Sequence, residues 1–205
     1  MDATTHDSTP IRVNRSVPVR PLNGVLRPRE YLTGKEIDQL IKTARTTRHG
    51  HRDATLILVA YRHGLRVSEL CNLEWTQIDF SAATMYVRRV KYGTPSQHPI
   101  RGDELRALRK LQREQDFKSA FVFDSERGGP FTSQGMNQHI KRIGKKAGLP
   151  FQIHAHMLRH SCGYALINNG CDVRIIQAYL GHRSLQTTVL YTQLSPEPFK
   201  DIWRD

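Results

Sequence analysis

Residues 154–191 gather the side chains best able to do chemistry. His156 and Arg159 stand three positions apart, and positions i and i+3 share one face of a helix, so both can point at a single target. From Asp172 to Leu180 a second helical pattern puts Ile175, Ile176, Tyr179 and Leu180 on one apolar side. Gly181 follows where a helix end favours a residue tolerant of positive φ, which sets His182 just past that end. A third short helix can start with Ser184 as N-cap, and its expected core stripe is Leu185 and Val189. At about 100° per residue, Tyr191 then points away from that stripe. A tyrosine off the core, close to two histidines and an arginine, is the arrangement expected of a nucleophile.

The spacing H-x-x-R, then L-G-H, then Tyr nine residues on resembles the catalytic signature of the tyrosine recombinases, the phage integrase family. Upstream, His63-Gly64-Leu65-Arg66-Val67-Ser68-Glu69-Leu70 resembles that family's first arginine box. The run His156 to Gly163 is especially similar to the small members that invert fimbrial-promoter switches. The resemblance covers about residues 30–204. Any one motif is weak evidence, whereas four in the right order and spacing are strong.

The chemistry implied is cleavage of a phosphodiester. That needs a nucleophile, neutralisation of the two non-bridging oxygens and a proton for the leaving 5′-oxygen. Tyr191 is the candidate nucleophile; a phenol of pKa ~10 attacks poorly unless a nearby cation or base favours its deprotonation. Its aryl phosphodiester product conserves bond energy, so rejoining needs no ATP, and neither a cofactor nor a metal is expected. Arg66 and Arg159 would form a clamp, because guanidinium is planar, always charged and forks onto phosphate oxygens. His156 and His182 would donate hydrogen bonds to the phosphate or hold the attacking phenol. By resemblance, a lysine on a β-hairpin turn protonates the 5′-oxygen. Lys91 matches that place, with Arg88 and Arg89 close by. Glu69 occupies the family's acidic position three after the first arginine, where it can orient Arg66 or His156.

Composition agrees with such a substrate. The 205 residues suffice for one well-buried domain. Thirty-one Lys and Arg against 19 Asp and Glu give a net charge of +12, a surplus that a polyanion such as double-stranded DNA would offset. No apolar run approaches the ~20 residues needed to span a bilayer, and the N-terminus lacks the layout of a signal peptide. The three cysteines, Cys71, Cys162 and Cys171, are odd in number and lack C-x-x-C spacing. Reduced thiols and a cytoplasmic location follow.

The positioning elements can be read in order. Residues 1–30 hold Pro10, Pro18, Pro21 and Pro28 among five arginines and show no apolar period, which predicts a flexible basic arm. Thr33 to Glu36 is a capping-box pattern, followed by the stripe Ile37, Leu40, Ile41 and Ala44. Thr55 to Tyr61 is apolar nearly all round, as in a buried central helix. Arg66 opens the next helix, with Leu70 and Leu73 facing in. Ile78 to Ile100 reads as a small antiparallel sheet or hairpin, and 103–113 as a helix on Leu105, Leu108 and Leu111. Phe121 to Phe123 is expected to be a short strand, and 133–147 a basic helix containing Met136, Ile140 and Ile143. Phe199, Ile202 and Trp203 form a last apolar stripe that either packs on its own core or, as the family implies, docks onto the next protomer.

Two other readings compete. His156 and His160 have the i, i+4 spacing of a zinc site, but Met157 stands where a general-base Glu is needed. A DNA-binding regulator without catalysis would use the 172–190 helix pair, yet has no need for the arginine, histidine and tyrosine set. The expectation is therefore a mainly α domain with a small antiparallel β-sheet, the tyrosine recombinase catalytic-domain fold. It spans 31–205 after the arm, without the separate N-terminal DNA-binding domain of most members. The expected activity is site-specific recombination through a 3′-phosphotyrosyl link, by a homo-tetramer on inverted-repeat DNA in the bacterial cytoplasm, at the nucleoid. The incomplete clamp predicts reliance on tetramer contacts or on host DNA-bending proteins. Inversion of a promoter element is implied by resemblance; integration or excision of a mobile element is the alternative.

Overall fold

The structure, a computed structural model, describes residues 29–89, 93–115 and 118–193. Lys91, most of the basic arm and the apolar stripe at Phe199, Ile202 and Trp203 lie outside the described residues. Among the described residues, no helix is long and apolar enough to cross a membrane.

Helix α1 (Gly34–Ala44) starts at the expected capping box. Thr33 Oγ1 accepts from Glu36 N, while Glu36 Oε2 accepts from Thr33 N at 2.8 Å. Two unpaired amides of the first turn are thereby satisfied. Ile37, Leu40 and Ala44 face the core. Just ahead of it, Arg29, which the sequence placed in the arm, pairs with Glu36 and lies 5.0 Å over the Phe151 ring.

Helix α2 (Gly50–Arg62) is the buried centre, carrying Leu56, Ile57, Val59 and Ala60 at no more than 1% exposure. Its apolar circumference demands neighbours on several sides. It packs on α1, on α4 (Gly102–Glu114) and on α6 (Ala155–Asn168). Between α2 and α4 the chain runs through the short helix α3 (Val67–Cys71) and an antiparallel sheet, β1 (Ile78–Asp79), β2 (Thr84–Val87) and β3 (Ser96–Pro99). In β2 the period-two pattern buries Met85 and Val87 and leaves Tyr86 outside. Met85 pairs with His98, a buried histidine on β3.

Helix α5 (Ser133–Lys146) buries Met136, Ile140 and Ile143. After α6 come α7 (Val173–Leu180) and α8 (Gln186–Gln193), both packed on α6. A small second cluster of Cys162, Ile167, Ile176, Leu180 and Tyr191 forms between them.

Three expectations are corrected. Phe121 to Phe123 is not a strand: Phe121 makes one bridge to Glu74 and Val122 N donates to Leu73 O, too little pairing for a ladder. Ile175 is 63% exposed, because the contact side of α7 runs through Ile176 and Leu180, which lie about 100° and about 140° away from Ile175 round the helix. The polarity of α8 is opposite to that expected. Leu185, Val189 and Leu190 face outward, while Thr188 and Tyr191, three residues apart, are buried.

Ser161 couples the entry of the chain to α6, since its Oγ accepts from Leu32 N at 2.7 Å and donates to Met157 O at 2.7 Å. Ser161→Ala leaves a buried amide without its acceptor and should cost about 1–3 kcal/mol. Thermal unfolding should report a fall of roughly 2–10 °C; an unchanged midpoint would show that this link carries no stability.

Candidate active site

The site is built where two helices end. At the end of α2, His63 is followed by Gly64, whose φ of +54° is the left-handed region. A Cβ there would also meet Leu180 Cδ2 at 2.3 Å, so close approach and backbone sign both require glycine. At the end of α7, Gly181 closes the helix with φ 64°. His182 N donates back to Gln177 O at 3.0 Å, which completes the cap and fixes the residue after it.

Arg159, on the inner face of α6 and 1% exposed, joins these two ends. Its guanidinium donates to Gly64 O and, at 2.7 Å, to Leu180 O. Both carbonyls lie at helix C-termini, where unpaired oxygens and the helix dipole favour a cation. Burial, then repulsion from Arg66 and Arg89, pulls Arg159 down to about 10, so it stays charged at neutral pH.

Arg66 is the N-cap residue of α3, and Glu69 at the third helical position reaches back to it. The carboxylate accepts from Arg66 N at 2.9 Å and from Arg66 Nη1 at 2.8 Å. This side chain is 22% exposed, more open than the other two arginines of the site. Despite its burial, Glu69 is held below the usual carboxylate range by Arg89, by hydrogen bonds from Arg66 and by Arg159.

His182 Nδ1 lies 2.8 Å from Thr188 Oγ1. Burial, with Arg159, Arg66 and Arg89 nearby, pushes His182 down to about 3, which keeps the ring neutral. Tyr191 is 2% exposed. Its ring centroid is 6.2 Å from that of His182 and 5.8 Å from that of His160. Gly163 makes room for it, since a Cβ there would lie 2.4 Å from Tyr191 Cε2. Burial raises the phenol to about 12 against the opposing pull of Arg159.

Arg66, Glu69, Arg159, His182 and Tyr191 thus share one electrostatic neighbourhood. His156 is exposed on α6 and meets His160 edge to face at 4.4 Å. His160 is held down to about 4 by burial, His156 and Arg159. Sequence reasoning assigned nothing to Thr188 or Arg89. Thr188 was legible, being three residues before Tyr191 and so on its helix face. Arg89, a buried arginine bound to Glu69 at 2.8 Å, had no signal beyond its closeness to Lys91.

The phage integrase family profile matches residues 30–197. The chain belongs to the phage integrase family. It is a site-specific tyrosine recombinase, an enzyme that breaks and rejoins DNA. Over 181 residues it is 41% identical to the type 1 fimbriae regulatory protein FimB of Escherichia coli K12, an alignment covering 86% of this chain and 90% of that one. The type 1 fimbriae regulatory protein FimE of the same strain is 41% identical over 180 residues, covering 85% and 91%. Among solved structures, the recombinase matches XerA recombinase with a TM-score of 0.74 and 29% identity, over 84% of this chain but only 63% of that one.

The neutral histidines make a pH prediction. His98, pushed down to about 3, His160 and His182 all titrate lower in the fold than in the unfolded chain. The unfolded state therefore takes up protons first, from about pH 6.5 downward. Stability is complete above that value and is lost as pH falls towards 4. Thermal midpoints at pH 7.5 and 5.0 should differ by on the order of 5 °C, the acidic sample being lower. A flat profile would mean that these rings are solvated.

Proposed function

We propose that this recombinase cleaves one DNA strand per protomer through Tyr191 and inverts a promoter element. The phenol oxygen attacks the scissile phosphorus, a 3′-phosphotyrosyl bond forms, and the bond to the 5′-oxygen breaks. Neutral His182 offers a lone pair to the attacking phenol, and it takes up the phenol's proton once the bound phosphate offsets the guanidinium charges that depress the ring. Arg66 and Arg159 neutralise the non-bridging oxygens where charge develops. His156 hydrogen-bonds the phosphate from the open side, and Glu69 orients Arg66. Lys91, by its place in the motif, returns a proton to the 5′-oxygen. Attack by the 5′-hydroxyl of a partner strand reverses the chemistry and joins the exchanged ends.

The observation that carries this reading is the placing of buried Tyr191 and neutral His182 in the field of three guanidinium groups and one carboxylate. A pure DNA binder gains nothing from burying such a surplus. Because Tyr191 and Arg159 are 2% and 1% exposed, the phosphate reaches them only when α8 is displaced. The outward-facing Val189 and Leu190 on that helix, with Leu185 just before it, support contact with a neighbouring protomer in a DNA-bound tetramer. The likeness to two fimbriae regulatory proteins supports inversion over integration or excision, on inverted repeats in the cytoplasm at the nucleoid, with host bending proteins assisting. Residues 31–205 act as the catalytic domain and 1–30 as an arm along DNA or a neighbour.

A nicked suicide DNA carrying the inverted repeat should give a covalent adduct at its 3′ end on a denaturing gel, with or without chelator. Tyr191→Phe should abolish the adduct and leave DNA affinity within about threefold, since it removes the attacking oxygen and keeps the ring. An adduct that persists in Tyr191→Phe, or wild-type binding without any adduct, would overturn the assignment.

A further inference from the structure

Beside the clamp lies a buried polar chain to which the proposed mechanism gives no task. Arg89, just after β2, has a fully buried side chain. Its Nη1 donates to Glu69 Oε2 at 2.8 Å, and its Nη2 donates to Tyr179 O at the end of α7 and to His63 O at 3.3 Å. Glu69 Oε2 also accepts from Arg66 N at 2.9 Å, so one carboxylate bridges the two arginines. The stem of Arg89 meets the other arm of the site: a Cβ on Gly181 would lie 2.7 Å from Arg89 Cγ. The turn that delivers His182 is moulded on this side chain.

On its far side Arg89 faces a directed row of hydrogen bonds. Glu104 Oε1 lies 2.8 Å from His63 Nε2, His63 Nδ1 lies 3.1 Å from His98 Nδ1, and His98 Nε2 lies 2.8 Å from Ser96 Oγ and 3.5 Å from Arg89 Nη2. All three members of the row are buried. A carboxylate only accepts, so His63 donates to Glu104 through Nε2. His98 Nε2 faces Ser96 and the guanidinium. The His98 ring also stacks on Tyr179 at 3.8 Å between centroids, the residue whose carbonyl takes Arg89.

We propose that Arg89 is a positioning residue for strand cleavage, locked by the Glu104–His63–His98 row and fixing at once Glu69 with Arg66 and the turn that carries His182. This rests on the recombinase reading given above. A simple stabilising ion pair is a poor account of it. Arg89 Nε is buried without a hydrogen-bond partner among the described residues, and its charge adds to a local surplus of cations, both of which disfavour folding. What the position provides is geometry, and a misplacement of about 1 Å at a reacting centre can cost ~100-fold in rate.

The test is single-turnover cleavage of the nicked suicide DNA, with affinity measured in parallel, well below the melting temperature. Arg89→Met keeps the stem and removes the fork. It should slow cleavage by about 100-fold while DNA affinity stays within about threefold. Arg89→Lys, which restores charge but not the fork, should recover about tenfold of that loss. If Arg89 acts through Arg66, the two changes are not additive: in an Arg66→Lys background, Arg89→Met should cost less than about fivefold. Should Arg89→Met not fold, Arg89→Lys carries the test alone, slowed about tenfold in the wild-type background and little in Arg66→Lys. Arg89 variants at the wild-type rate, or a full loss repeated in Arg66→Lys, would overturn the proposal. Failure of the wild-type chain itself to form the adduct would instead overturn the recombinase assignment, and this inference with it.

Discussion

The structure depends on a guanidinium that holds two helix ends together. Arg159 crosses from α6 to Gly64 O, just past the end of α2, and to Leu180 O, the last carbonyl of α7. A buried cation costs several kcal/mol unless every donor finds a partner, and helix C-termini supply oxygens that otherwise lack one. The pairing explains why glycine stands at 64, since any side chain would strike Leu180 and strain the φ of the residue that offers the carbonyl. It also places the segments bearing Arg66 and His182 on either side of a single point. Arg89 repeats the arrangement on Tyr179 O and His63 O, so the junction is stapled twice.

Concentrating cations in this way sets the protonation of everything nearby. Arg66, Arg89 and Arg159 face the single carboxylate of Glu69 in the network. Burial and these charges hold His182 neutral, and burial alone outweighs Arg159 at the Tyr191 phenol. In the free chain the site is therefore electropositive and closed. In the proposed mechanism a phosphodiester supplies the missing negative charge and the transition state supplies more, so these groups would favour reaction more than binding. The chain-wide charge of +12 serves the earlier step, attracting the polyanion over longer range.

Much of this was legible in the residues. The helices followed from apolar spacing and caps, as at Thr33 and Gly181, because local hydrogen bonding and periodicity decide them. Motif spacing put forward Arg66, Glu69, Arg159, His182 and Tyr191, which the fold brings into one neighbourhood, whereas Lys91 lies outside the described residues. The inward face of α8 was not: Leu185 and Val189 suggest one buried side, yet Thr188 is drawn in by His182 and Tyr191 by the gap at Gly163. A contact with a residue 28 positions earlier leaves no period in the local sequence. The row Glu104, His63 and His98 was hidden for the same reason, its members being 35 and 41 positions apart. Phe121 to Phe123 looked like a strand because burial was legible there, whereas a pairing partner was not.

The most direct test of a clamp built on helix-end carbonyls is an experimental structure of the chain bound to a suicide DNA, with attention to the scissile phosphate. The account predicts that Arg66 and Arg159 both lie within hydrogen-bond distance of its non-bridging oxygens while Arg159 still holds Gly64 O and Leu180 O. It further predicts that Tyr191 Oη is bonded to phosphorus. A phosphate bound away from the two arginines, or an Arg159 that has left both carbonyls to reach it, would contradict the claim that the fold assembles the clamp before DNA arrives.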